Sequence, residues 1–230
     1  MARNAIVFGA GSGISASFAR KLYAGGYNVA LVARNAARLE ALASEVGGIA
    51  LSADSTQLDQ VTAAFDAAER AHGHPDVVLY NAAQRVRGPV AELDPVAVAR
   101  AIEVTAFGGF LVAQQAARRM LPRGAGTIMF TGASASVKGY AESATFAMGK
   151  FALRGLAQSM ARELHPKGIH IAHFVIDGGV RNAERGRVEQ GASDSLLDPD
   201  AIAETYMHAL RQPRSAWSWE IEVRPWIEKF

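Results

Sequence analysis

The residues with the clearest chemical signature lie near the start of the chain. Ile6, Val7 and Phe8 form a short continuous apolar run, the composition of a strand buried on both faces of a parallel sheet. Gly9, Gly11 and Gly13 follow at once, with Ala10 and Ser12 between them, and Ile14, Phe18, Leu22 and Tyr23 then recur at helical spacing. A strand, a glycine turn and a helix in that order can hold the diphosphate of a dinucleotide. Glycine lets the backbone approach phosphate oxygens, and the unpaired N–H groups at the helix start face the negative charge. The spacing G-x-G-x-x-G fails at its last position, which is Ile14. The longer G-x-x-x-G-x-G fits Gly9 and Gly13 and ends on Ser15, small enough for helix and strand to pack closely. Without a ligand, the same residues would make a plain tight strand-to-helix turn.

Strand-like and helix-like segments alternate through the rest of the chain. Residues 28–33, 48–53, 76–80, 126–131, 168–176 and 219–224 read as strands. Residues 35–46, 56–72, 95–120, 142–165 and 199–211 read as helices, Thr56 being a candidate cap. With the first strand this predicts a single α/β domain over residues 1–230: a doubly wound Rossmann-type fold whose parallel seven-stranded sheet carries helices on both faces.

In such a sheet ligands bind outside the carboxyl ends of the strands. Arg34 follows the second strand, where an acidic residue would hold adenosine ribose hydroxyls. An Arg there pairs instead with a 2′-phosphate, favouring NADP(H) over NAD(H), or is simply an exposed helix-start residue. Asp54 and Ser55 follow the third strand and can accept from an adenine amino group, although an Asp there can equally cap the next helix. Asn81, Ala82 and Ala83 follow the fourth strand. The alanines leave room for a flat cofactor, and Asn81 can tie neighbouring strands together.

Composition narrows the classes. Half of the 230 residues are hydrophobic, enough for one sizeable core. The net charge of +2 is spread without basic runs, so no nucleic-acid partner is implied. With no cysteine and six histidines lacking ligand spacing, no metal is expected. No signal peptide is apparent, and no apolar run is expected to reach the roughly 20 residues that span a bilayer. The expectation is a cytoplasmic protein without a membrane partner.

In order and separation these motifs resemble the short-chain dehydrogenase/reductase family over nearly the whole chain. Gly9, Gly11, Ser12, Gly13, Ile14 and Ser15 stand on the family's T-G-x-x-x-G-x-G, with Phe8 for Thr and Ser15 for the last Gly. Asp54 stands on its adenine-binding Asp, and Asn81-Ala82-Ala83 on N-A-G. Phe146 and Lys150 stand on Y-x-x-x-K, and Asp177-Gly178, leading to Val180, on the P-G after the sixth strand. The resemblance implies an NADP(H)-dependent oxidoreductase acting on a carbonyl or alcohol. In the family a Tyr phenol handles the proton, the Lys holds the nicotinamide ribose, and a Ser and an Asn complete the set.

Here the Tyr position is Phe146, the Ser position falls on Ala133 with Ser134 beside it, and the Asn position is Thr105, so Lys150 alone is kept. A phenyl ring cannot be an acid or base. Two readings follow: an oxidoreductase of a divergent branch whose proton duty has moved to Tyr140, Ser134 or Lys150, or a non-catalytic NADP-binding or partner-binding protein on the same frame. Tyr140 could equally be a loop aromatic packed on the surface. The resemblance further implies a substrate lid at 180–197. The apolar helices 95–120 and 142–165 imply a homo-oligomer, a dimer or tetramer.

Three features are less specific. Arg181, Arg185 and Arg187 in the lid segment could meet an acidic substrate or form a solvated face. His173, among apolar strand residues, reads as a satisfied core histidine. Trp217, Trp219 and Trp226 crowd a half-exposed edge strand and could pack on a partner subunit or in their own chain.

Overall fold

The computed structural model describes residues 3–191 and 194–228, so positions 192 and 193 of the candidate lid lie outside the described residues. In chain order the elements are β1 (Arg3–Phe8), α1 (Ile14–Ala24), β2 (Tyr27–Ala33), α2 (Glu40–Glu45), β3 (Ile49–Ser52), α3 (Leu58–His72) and β4 (Val77–Tyr80). There follow α4 (Pro95–Ile102), α5 (Gly108–Met120), β5 (Gly126–Thr131), α6 (Ala144–Leu164), β6 (Ile169–Ile176), α7 (Pro199–Arg211) and β7 (Glu220–Val223).

All pairings are parallel, and the seven strands lie in the order β3-β2-β1-β4-β5-β6-β7. Phe8, Val32 and Tyr80 share one register level, with Phe130 opposite Tyr80. The residues that follow them therefore emerge along one edge of the sheet. The winding reverses between β1 and β4, which opens a crevice at that edge.

The inner strands β4 and β6 are buried on both faces throughout and β1 and β2 almost throughout, as their unbroken apolar runs require, while the edge strands β3 and β7 are only partly buried. On one side Phe18 and Leu22 of α1 and Tyr206 of α7 cover the sheet, Tyr206 packing its ring 4.0 Å from that of Phe174. On the other side Phe65 of α3, Val112 of α5 and Leu153 of α6 do so, with Phe65 5.3 Å from Phe8. Each such side chain, fully buried, contributes about 1.5–3 kcal/mol relative to exposure.

Three local departures from the sequence expectation have physical causes. The helix expected over 35–46 begins as a 3₁₀ turn, Ala36–Leu39, and only α2 is α-helical. The helix expected from Thr56 begins at Leu58, because the Asp54 carboxylate takes the Thr56 amide (3.0 Å) and hydroxyl (2.8 Å) into a turn of its own. The helix expected over 95–120 is interrupted by a π-helical turn, Glu103–Phe107. Gly108 lies so close to Tyr80 that an added Cβ would sit 2.6 Å from its hydroxyl, and that hydroxyl donates to the Val104 carbonyl. Such turns are frequent at functional sites.

By length and composition the helical stretch Pro95–Arg123 could cross a membrane, which corrects the expectation that no run is long and apolar enough. In this fold its α5 portion lies on the sheet, with Val112, Ala113, Ala116 and Met120 in the core. Trp217 stacks on His170 at 4.7 Å and Trp219 lies under the Arg154 guanidinium, so both pack within their own chain.

Candidate active-site cleft

A cleft of about 770 Å³ opens at the carboxyl ends of β1 and β4. Its wall includes Gly9, Gly11, Ser12, Gly13 and Ile14 from the first turn, Arg34 after β2, and Asp54 and Ser55 after β3. Asn81, Ala82 and Ala83 after β4, Phe146 and Lys150 from α6, and Gly178 and Val180 after β6 complete the residues that sequence had put forward. Ser134 and Tyr140 are not part of the wall. Tyr140 is 47% exposed, with the Lys138 ammonium 5.9 Å from its ring.

The glycine turn is held from beneath. Gly9 has φ +72° and passes the next loop so closely that a Cβ would lie 2.4 Å from the Ala82 nitrogen, so only glycine fits. Ser15, where a third glycine was sought, is buried; its hydroxyl donates to the Gly9 carbonyl (3.2 Å) and accepts from the Asn81 amide (2.7 Å). The substitution thus fixes the turn rather than blocking it. A Cβ on Gly11 would meet nothing within 4 Å, and no side chain caps the start of α1. Open backbone and free N–H groups at a helix start are the donor set a diphosphate requires.

Arg34 is exposed at the cleft's edge with no carboxylate partner among the described residues. Asp54 has its oxygens occupied by Thr56 and by Arg100 at 2.6 Å. Burial alone would raise its pKa, but the Thr56 hydrogen bonds and the Arg100 charge outweigh this and hold it below the ordinary value. Its interactions are those of a local turn and an ion pair: it does not cap α3, whose start has no side-chain cap.

At the other end lie Phe146 and Lys150, one helical turn apart on the buried face of α6. The Lys150 ammonium is 3% exposed, donates to the Thr131 carbonyl at 2.5 Å and lies 5.7 Å from the Phe146 ring centroid. Burial, and then the charge of Arg85, push it down to about 7. Thr105 is buried in the π-helical turn, its hydroxyl accepting from the Gln84 amide at 3.1 Å. The hydroxyls that line the cleft belong to Ser12, Ser55 and Thr131. Ser55 bonds to Tyr80 and Thr131 to Tyr206, so among the described residues no free hydroxyl stands beside Phe146.

Sequence reasoning missed Arg85, Gln84 and Asn182. Arg85 lays its guanidinium 3.7 Å over the Phe146 ring. The signal was the basic pair Arg85 and Arg87 just past Asn81-Ala82-Ala83. The Asn182 amide donates to the Ser12 carbonyl (3.2 Å) and hydroxyl (3.3 Å), placing the segment after β6 against the glycine turn. Of the three arginines expected there, Arg185 and Arg187 line the cleft, whereas Arg181 pairs with Asp198 at 2.5 Å.

Behind Ala133, Ser136 Oγ lies 3.4 Å from His173 Nε2, and His173 Nδ1 lies 3.1 Å from Glu220, which Arg154 clasps with two bonds. The order resembles a hydrolytic triad, but Ser136 and His173 are both 0% exposed, so no substrate reaches them. Neutral His173 donates to Glu220, accepts from Ser136, and so braces the turn that carries Ala133, whose amide donates to Ser136 Oγ. Burial lowers the His173 pKa to about 4. The unfolded chain takes up this proton near pH 6.5 and the folded one does not until about pH 4, so stability falls as pH drops through that window, by about 3 kcal/mol at most. Urea unfolding at pH 7 and pH 4.5 should show a smaller loss for His173→Gln than for the parent chain.

The sequence model described as short chain dehydrogenase matches residues 3–187. A crystal structure of a short-chain dehydrogenase from Rhodopseudomonas palustris is 38% identical with a TM-score of 0.85, covering 97% of this chain and 99% of that one. A metagenomic short-chain oxidoreductase solved in complex with NADP is 28% identical with a TM-score of 0.81, covering 97% of each chain. The 3-oxoacyl-[acyl-carrier-protein] reductase MabA of Mycobacterium tuberculosis is 29% identical over 195 residues, 84% of this chain and 76% of that one. The strand order, the glycine turn, the Lys150 position and these matches agree: the chain belongs to the short-chain dehydrogenase/reductase family of oxidoreductases.

Proposed function

We propose that the protein is an NADP(H)-dependent oxidoreductase of a carbonyl or alcohol, with Lys150 in charge of the proton that a phenol handles elsewhere in the family. The observation that carries this reading is Arg34, a cation with no carboxylate partner among the described residues, at the cleft's edge where the adenosine ribose would lie, in place of an acidic residue. The residues fit a dinucleotide phosphate: Gly11, Ser12, Gly13 and Ile14 would hold the diphosphate, Arg34 the 2′-phosphate and Lys150 the nicotinamide ribose. Bound there, the cofactor would supply or accept hydride.

Lys150 Nζ is the titrating group beside Phe146. At a pKa near 7 it can give up or regain a proton at neutral pH, as a general acid or base must. Phe146 and Ala133 present apolar surface that keeps water off that nitrogen. The described part of the lid segment that follows β6 is tied to the glycine turn by Asn182. Exposed Phe107, Phe110, Met148 and Phe151 on the α4–α5 stretch and α6 support a homo-oligomer formed through these helices.

The absence of a free hydroxyl beside Phe146, among the described residues, favours the second reading, a protein that binds the cofactor without turning it over. Calorimetric titration decides the cofactor and a carbonyl screen decides turnover. In Arg34→Ala, NADPH binding should weaken at least about ten-fold while NADH binding changes by less than about two-fold. Equal loss for both would assign Arg34 to the surface.

A further inference from the structure

The Phe146 end of the cleft is cationic beyond what a dinucleotide needs. Arg34, Arg85, Lys150, Arg185 and Arg187 line the cleft against one acidic residue, Asp54, which Arg100 already occupies. Arg34 stands at the opposite end. The Arg85 guanidinium sits over Phe146, its central carbon 3.7 Å from the ring centroid. Arg85 and Arg187 have no carboxylate partner among the described residues. Burial, and then the charges of Arg87 and Arg187, lower the proton affinity of Arg85. A guanidinium held over an aromatic face is confined in position, and its fork of N–H donors matches a two-oxygen acceptor. The backbone donors that suit a phosphate are at the glycine turn, on the far side of the cleft.

We infer that Arg85, seated on Phe146 and seconded by Arg187, forms a carboxylate subsite, so that the substrate is a small carbonyl or alcohol compound bearing a carboxylate. This deepens the reading above and rests on it for the location of the substrate. It also gives Phe146 a use: its ring face supports the guanidinium.

The test titrates the protein with oxalate, with its neutral analogue oxamide and with inorganic phosphate, each in the presence and absence of saturating NADPH, by calorimetry. Arg85→Gln is the variant; the residue lies in the loop between β4 and α4, and thermal unfolding of the variant beside the parent checks that the fold is kept. The expected result is oxalate binding without oxamide binding, weakened at least about ten-fold in Arg85→Gln, while NADPH affinity moves by less than about two-fold. Oxalate binding that is indifferent to Arg85→Gln, or no tighter than oxamide, overturns the subsite and leaves the cofactor reading intact. Equal loss of NADPH and oxalate would make Arg85 a cofactor-phosphate residue, and phosphate binding as tight as oxalate would overturn the carboxylate assignment. If NADPH does not bind, the cofactor reading fails by itself, and the cofactor-free titrations still decide the subsite in the same way.

Discussion

Lys150→Met should raise the melting temperature at pH 6 by roughly 3–10 °C and, in the same molecule, lower cofactor-dependent turnover by about 10²-fold or more. The two effects have one origin. Folding places the Lys150 ammonium in a site 3% exposed, with the Thr131 carbonyl as its hydrogen-bond acceptor and Arg85 nearby. Its pKa drops from 10.5 to about 7. At about 1.4 kcal/mol per unit this is a folding penalty of several kcal/mol, from which the cost of leaving the Thr131 carbonyl unpaired, about 1–3 kcal/mol, must be subtracted. The sign follows from linkage. Below pH 7 both folded and unfolded chains carry the charge, and the folded one bears the whole penalty. Between about 7 and 10.5 the folded chain sheds the proton first, and above 10.5 neither state is charged. The variant's advantage should therefore be full at pH 6 and shrink steadily toward pH 10. Thermal unfolding across that range checks it. A variant less stable than the parent at pH 6 would mean that Lys150 is neutral or solvated in the fold.

A lysine that destabilises its own fold at neutral pH is the pattern of a residue kept for chemistry. The same sequence run shows why this site could be read only partly from the chain. Strand ends were legible because continuous apolar runs such as Ile6-Val7-Phe8 stop at glycine or polar residues, and the parallel register then lines those ends up. The residues that follow β1, β2 and β4 accordingly meet in one cleft. What was not legible depended on side chains finding each other across the sheet. Asp54 looked free until Arg100, 46 positions away, closed on it. Ser15 read only as a small residue at the end of a glycine motif until Asn81, 66 positions away, gave its hydroxyl a partner. Arg85 sits in a loop with no periodicity, and only the path of that loop over α6 brings it onto Phe146. Ser134 is a candidate by counting along the chain and Tyr140 by the path of its loop in the family, and neither says which way the side chain turns here. The Asp177 carboxylate holds that loop through Lys138 at 3.3 Å, and Tyr140 stays with Lys138 outside the cleft.

Phe146→Tyr tests whether the missing phenol is what limits the chemistry, and turnover on simple carbonyl compounds should rise by about 10²-fold or more. The position is prepared for it. The ring lines the cleft, Lys150 Nζ lies 5.7 Å from its centroid, and the Arg85 guanidinium covers its face. The Arg85 cation over the ring favours the phenolate, so the new hydroxyl should titrate below its ordinary value and give the pH–rate profile an added limb that the parent chain lacks. Oxidation of NADPH followed by absorbance from pH 6 to 10 measures both effects. If carboxylate docking at Arg85 matters to the substrate, the gain should be larger for a 2-keto acid than for a neutral ketone of the same size, because the guanidinium fixes one end while the phenol serves the other. A variant that binds NADPH normally yet gains nothing would shift the deficit to Ala133 and Thr105, the other two changed positions. Adding Ala133→Ser to Phe146→Tyr would then separate a missing polarising hydroxyl from a cleft in which the carbonyl never reaches Lys150.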